Sequence, residues 1–267
     1  MKNNIFIEGL PGCGKSTLLN RLALEWPEYH VYREGDLSPA ELAWCSYLTR
    51  EGWEEMLGRY PAFQQEIRDK TQVEDDRYIV AYTQILTEKR AFYQDMERYE
   101  IYNGRVDFQT FHDIIMKRYR NLTGGGNLFE CSFLQNSIES MMLFYQMPEE
   151  EILAFYEEAY GVLREKGFKL IYLDSVRIRE NLLHIKKERS DENGNEMWFP
   201  LMLNFLKESP YGKAHGYKGF EDVAAHFERR RRLELRILRE MIGEDSLILE
   251  AKGFAPGGVP DICLKFR

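Results

Sequence analysis

The sequence predicts an α/β fold of three layers, with a mainly parallel sheet of order 2-3-1-4-5 between helices, and three observations carry that reading. Five short β-prone segments, at 5–8, 30–33, 127–130, 169–174 and 246–250, alternate with helical ones along the 267 residues. The fourth, Lys169-Leu170-Ile171-Tyr172-Leu173-Asp174, is nearly continuous in apolar character, as a strand buried on both faces should be. The first runs straight into Gly9-Leu10-Pro11-Gly12-Cys13-Gly14-Lys15-Ser16, which fits the phosphate-loop pattern G-x-x-x-x-G-K-[ST] at every constrained position.

Behind that loop, Leu18, Leu19 and Leu22 recur at helical spacing, and the helix closes at Trp26-Pro27. Strand, loop and helix are the context the motif requires. Gly9, Gly12 and Gly14 let the backbone turn its N–H groups inward, and the helix that follows adds its positive end, so the loop is built to cradle a polyphosphate. The binding set is read as Gly9, Gly12, Cys13, Gly14, Lys15, Ser16 and Thr17, with Lys15 reaching the β/γ-phosphates and Ser16 a ligand of Mg²⁺.

The second strand is broken by Glu34-Gly35-Asp36, acidic residues placed where an open α/β sheet presents its crevice. From 38 to 122 the chain reads as almost wholly helical, starting with Ser38-Pro39 as cap and proline. Its dense aromatics, among them Trp44, Trp53, Tyr60, Phe63, Phe92 and Phe111, suggest a layer able to wall a ring-binding cavity, with Gln84, Arg105 and Asp107 as polar selectors. Gly124-Gly125-Gly126 then separates these helices from the third strand. A helix at 148–166, the fourth strand, and a helix holding Arg177, Arg179 and Ile185 follow. The polar run 186–196 reads equally as a solvated loop or as a lid. A long helix at 220–242 carries Arg229-Arg230-Arg231-Arg232 as a solvated, salt-bridged face. The tail from Gly253 is expected to turn beside a nucleotide base. One domain is expected over 1–267, with 37–126 as its substrate-side region and 186–196 as its lid.

A net charge of −8 argues against nucleic acid polymers and anionic membranes as main partners. The N-terminus enters the first strand directly and no 18-residue apolar segment is present, so the protein is expected to be cytoplasmic. Cys13, Cys45, Cys131 and Cys263 lack metal-ligand spacing and are expected to be reduced. A homodimer is left open.

These residues resemble the P-loop nucleoside and nucleotide kinases, most closely the deoxynucleoside kinase and thymidylate kinase branch. The loop from Gly9 to Ser16 carries the likeness first. Glu34 at the end of strand two, with Trp44 on a downstream helix, looks like that group's Glu-Pro segment and tryptophan, although Gly35 stands where proline is expected. Glu130-Cys131-Ser132 closing strand three is similar to its Glu-Arg-Ser motif, with the arginine missing. The resemblance implies a five-strand kinase core, ATP as donor and a small-molecule acceptor. It implies that Ser16 and Glu130 hold Mg²⁺, that Glu34 accepts the proton of an acceptor hydroxyl, and that Arg189, aided by Lys186 or Lys187, closes over the transferring group. Asp36 stays open as the base, and Asp174, which ends strand four like a Walker B acid, stays open as the metal ligand. The acceptor is expected to be a nucleoside or nucleotide, with another small molecule such as an antibiotic, or a nucleotide-dependent protein switch, as the rival readings.

Overall fold

The computed structural model describes residues 2–251 and 261–267. Of the tail expected to turn beside a base, residues 253–260, with Gly257, Gly258 and Pro260, lie outside the described residues. In chain order the elements are β1 (Asn4–Gly9), α1 (Lys15–Glu25), β2 (His30–Tyr32), β3 (Ser46–Leu48), α2 (Arg50–Arg59), α3 (Gln64–Asp69), β4 (Thr71–Glu74), β5 (Arg77–Val80), α4 (Arg90–Glu97) and α5 (Phe108–Asn121). Then come β6 (Asn127–Glu130), α6 (Gln135–Glu139), α7 (Glu149–Arg164), β7 (Phe168–Asp174), α8 (Ile178–Glu188), α9 (Trp198–Glu208), α10 (Pro210–His215), α11 (Phe220–Ile237) and β8 (Ser246–Glu250). Both α6 and α11 run on into a π-helical turn, at Ser140–Phe144 and Leu238–Ile242. No helix among the described residues is long and apolar enough to cross a membrane.

Two compact units divide the chain, residues 2–31 with 123–251 and 261–267, and residues 32–122. The first unit is built on a five-stranded parallel sheet in the order β2-β6-β1-β7-β8, flanked by helices. β1 lies at its centre, in parallel register with β6 (Ile7 opposite Glu130) and β7 (Gly9 opposite Leu173). Central strands of this kind are apolar on both faces. Ile5 and Ile7 pack with Leu18, Leu19 and Leu22 of α1 on one side, while Phe6 meets Phe129 and Phe168 on the other at ring separations of 4.7 and 4.9 Å. The strand numbering differs from 2-3-1-4-5 because the chain between β2 and β6 contributes three strands that the sequence reading does not anticipate.

Those three strands correct the expectation of an almost wholly helical 38–122. In the second unit β3, β5 and β4 form an antiparallel sheet, with β4 and β5 joined through Asp75-Asp76, where Asp75 takes φ 53°. Residues 38–45 are not a helix either. There the Ser38 hydroxyl accepts from the Ala40 amide, and Glu41 Oε1 accepts from Leu42 and Ala43 N–H at 2.8 and 2.6 Å. Side chains that satisfy nearby backbone in this way compete with helix formation. The aromatics mostly serve this unit's core: Tyr60, Tyr82 and Phe92 are buried among Leu48, Met56, Val80 and Met96, with Trp53, Phe63 and Tyr78 packed against them.

Candidate active site

β1 ends at Gly9 and α1 begins at Lys15, so the intervening loop must reverse the backbone within a few residues. Gly9, Gly12 and Gly14 take φ of 141°, 71° and 101°, a region costly for any residue with a side chain. Two of them are also packed against neighbours. A Cβ on Gly9 would lie 2.5 Å from the Leu173 carbonyl oxygen, and one on Gly12 would lie 2.3 Å from Cγ1 of Ile185. α8 further holds the loop through Asn181, whose Nδ2 donates to the Pro11 carbonyl at 2.9 Å. Lys15 is buried and folds back over the loop, its ammonium donating to the Gly9 and Leu10 carbonyls at 2.8 and 3.2 Å. Thr17, one residue past Ser16, is exposed on the first turn of α1.

Ser16 and Glu130 are brought together. The Ser16 hydroxyl donates to Glu130 Oε1 at 2.5 Å, from the first turn of α1 to the last residue of β6. Asp174 goes elsewhere: its two carboxylate oxygens accept from Arg231 Nε at 2.5 Å and Nη2 at 2.7 Å. Of the two acids left open for a metal, Glu130 faces the loop serine and Asp174 is committed to α11. A hydroxyl and a carboxylate are hard oxygen donors and suit Mg²⁺, which keeps most of its shell as water and phosphate oxygens. No group of three or more His, Cys, Asp or Glu that could hold a metal occurs among the described residues.

Three residues of the expected lid, 186–188, are helix, because α8 continues to Glu188. The rest is a closed turn in which Asp191 Oδ1 accepts from the amides of Asn193 and Asn195, and Ser190 bridges to Glu196. Arg189 caps α8 one turn beyond Ile185, on the face that meets the loop, and its guanidinium lies 5.6 Å from the Trp198 ring centroid. Three other cations named for the lid and its helix are held by carboxylates: Lys186 by Glu196 at 3.1 Å, Arg177 by Glu180 at 3.3 Å, and Arg179 by Glu221 and Glu228. Lys187 is exposed in the last turn of α8. A cavity of about 370 Å³ opens beside Asp174, Ser175, Arg177 and Asn181, at the carboxyl ends of β7 and β8.

Within the second unit, Glu34 is exposed and accepts from the Trp44 indole N–H at 3.0 Å. Trp44 is on no helix, contrary to expectation. It sits 46% exposed at φ 63°, a conformation rare for a bulky residue. Asp36 is occupied in its own turn, accepting from the Arg33 amide at 2.7 Å and from Gln84 Nε2 at 2.9 Å. Gln84 is thus engaged within its own unit, and the other two polar residues are also partnered there: Arg105 pairs with Glu97, and Asp107 caps α5 by accepting from the Thr110 amide.

Two buried polar features escaped the sequence reading. Glu8, fully buried at the end of β1, accepts from the Phe133 amide at 2.7 Å and from the Gln135 amide at 3.2 Å. Burial outweighs those amides and pushes its carboxyl up to about 7. An acid inside a strand otherwise apolar was the available signal. The second feature corrects the solvated, salt-bridged arginine face at one residue: Arg230 is 1% exposed, its Nη1 donating to Glu139 and its Nε to Glu234, both at 2.7 Å. His226 also meets Glu139, and Tyr172 donates to Glu234 at 2.6 Å. Burial would raise the Glu139 carboxyl, but the His226 and Arg230 charges hold it down at about 2. No protein-family model matches the chain, and comparison with curated proteins likewise gives no match.

Proposed function

We propose that the chain is an ATP-dependent phosphotransferase that moves the γ-phosphoryl group to a small hydroxylated acceptor, a nucleoside or nucleotide in the closest reading. The observation that carries this is the loop itself: three inverted glycines, a lysine folded over them, and a serine hydroxyl against an acid from the neighbouring strand. Phosphoryl transfer asks a protein mainly to position reactants and offset spread negative charge. The Lys15 ammonium donates to two neutral carbonyls of the loop, and a charged phosphate oxygen is a stronger acceptor than either. Loop amides and the start of α1 hold the phosphates, and Ser16 with Glu130 holds Mg²⁺, which when bound offsets phosphate charge.

The cavity beside Asn181 has room for the donor's nucleoside end, since Asn181 also holds the loop. Arg189 supplies the mobile cation that Cys131 cannot, because a guanidinium held on a ring leaves more readily than one paired with a carboxylate. Glu34 is proposed as the base for the acceptor proton on the kinase resemblance alone; within its own unit its carboxylate is oriented by the Trp44 indole N–H.

The test is ATP turnover with and without a panel of nucleosides, nucleotides and aminoglycosides. Wild type is expected to turn over faster with one class of acceptor, and Lys15→Ala to lose that stimulated rate while keeping the fold by circular dichroism. Undiminished turnover in Lys15→Ala refutes the assignment. Hydrolysis indifferent to every acceptor would favour a nucleotide switch.

A further inference from the structure

We propose that Glu8 is a positioning residue, which holds the turn after β6 so that the Glu130 carboxylate stays against Ser16; this rests on the phosphotransferase reading above. Residues alternate across β1, so Ile5 and Ile7 face α1, and Phe6 and Glu8 face the opposite side. Glu8 is therefore beneath the phosphate loop rather than in it. Its carboxylate oxygens accept the Phe133 and Gln135 amides, which open α6, a helix with no side-chain cap of its own. An acid from β1 thus does the capping.

Between Glu130 and those amides the chain passes through Cys131 at φ 57°, a left-handed conformation that costs a non-glycine residue and persists only when its surroundings over-determine it. Those surroundings include three hydrogen bonds. The Cys131 amide donates to the Ile7 carbonyl at 3.1 Å, Asn136 Nδ2 donates to the Cys131 carbonyl at 3.2 Å, and the Ser132 hydroxyl donates to the Glu130 carbonyl at 3.0 Å. Ile7 and Glu8, adjacent on β1, so bracket the turn from both ends, and Gly9 next to them opens the loop. One short stretch of β1 fixes both the phosphate cradle and the acid opposite its serine. A hydrophobic residue at position 8 would fill the space but leave the α6 amides without acceptors, a cost that buried backbone donors rarely bear.

Glu8→Gln keeps the shape but offers one carbonyl oxygen where two oxygens now accept, and sets an amide N–H against a backbone N–H. The experiment titrates Mn²⁺, read by electron paramagnetic resonance, into the full chain saturated with a non-hydrolysable ATP analogue. Glu8→Gln is expected to weaken Mn²⁺ binding roughly tenfold, as loss of a support behind a metal ligand commonly does. In a Glu130→Gln background the same change is expected to shift Mn²⁺ affinity less than twofold, because it acts through Glu130. Unchanged affinity in Glu8→Gln, or the same tenfold loss without the Glu130 carboxylate, overturns the proposal. If Glu8→Gln does not fold, wild type decides: linkage requires that Mn²⁺ binding slow hydrogen exchange at the Phe133 and Gln135 amides, and unchanged exchange refutes the positioning role. A wild type that binds neither Mn²⁺ nor the analogue refutes the phosphotransferase reading instead.

Discussion

Gly12→Ala tests whether the phosphate loop is locked by α8 or merely adjacent to it. A Cβ at Gly12 would stand 2.3 Å from Cγ1 and 2.4 Å from Cδ1 of Ile185, which is itself 1% exposed and has little room to retreat. Two costs follow. Holding a residue with a side chain at φ 71° costs about 1–2 kcal/mol. Forcing a methyl into a filled site adds about 1–3 kcal/mol. The sum, roughly 2–5 kcal/mol, is measurable by urea denaturation of the full chain. Ile185→Ala removes the two clashing atoms, so Gly12→Ala made in that background should cost only the backbone share, about 1–2 kcal/mol. The double-mutant cycle then yields a coupling of about 1–3 kcal/mol. A neutral Gly12→Ala, or strict additivity with Ile185→Ala, would refute the argument that this glycine is required by the packing of α8.

Two further outcomes follow from the charge pairs. Glu130→Gln should raise the Mg²⁺ concentration needed for half-maximal nucleotide binding by roughly tenfold or more, whereas Asp174→Asn should leave it unchanged and only loosen Arg231. The reverse pattern in a Mg²⁺ titration would return the metal to Asp174. Arg230→Met leaves Glu139 and Glu234 buried without their shared cation and should cost about 3–5 kcal/mol, while exposed Arg232→Ala should stay within about 0.5 kcal/mol. Equal losses in the two variants by chemical denaturation would mean that the arginine run is a solvated face after all.

The parts legible in the sequence are those in which a local rule acts on each residue separately. β1 and β7 are buried on both faces and read as apolar runs, and the glycines at 9, 12 and 14 answer to backbone angles that few other residues take. β3, β4 and β5 obey no such rule. Tyr47, Gln72 and Tyr78 are strand residues only partly buried or exposed, and the Asp75-Asp76 turn carries no glycine to announce a hairpin. A segment so rich in aromatics then looks like amphipathic helix. Around 38–45 the decisive contacts are made by Ser38 and Glu41 to their own neighbours, a competition that helix propensity does not register.

Charge was the harder quantity to place, because a sequence displays an ionisable side chain but not its partner. Arg229 to Arg232 look alike in a row, and helical geometry gives each a different direction, so one neutralises Asp174 from 57 residues away and the next inward one joins Glu139 from 91. Glu8 could have been suspected, since a buried acid must be satisfied or neutralised. Its partners could not have been named, because they are backbone amides, and a donor that every residue but proline carries leaves no mark in the sequence. The site is accordingly legible where residue type is constrained, at Gly9 to Ser16, and illegible where backbone does the holding, at the turn from Glu130 to Gln135. If Glu8 is what joins those two regions, the specificity of the loop motif depends on a residue just outside the motif, and on amides that no motif can list.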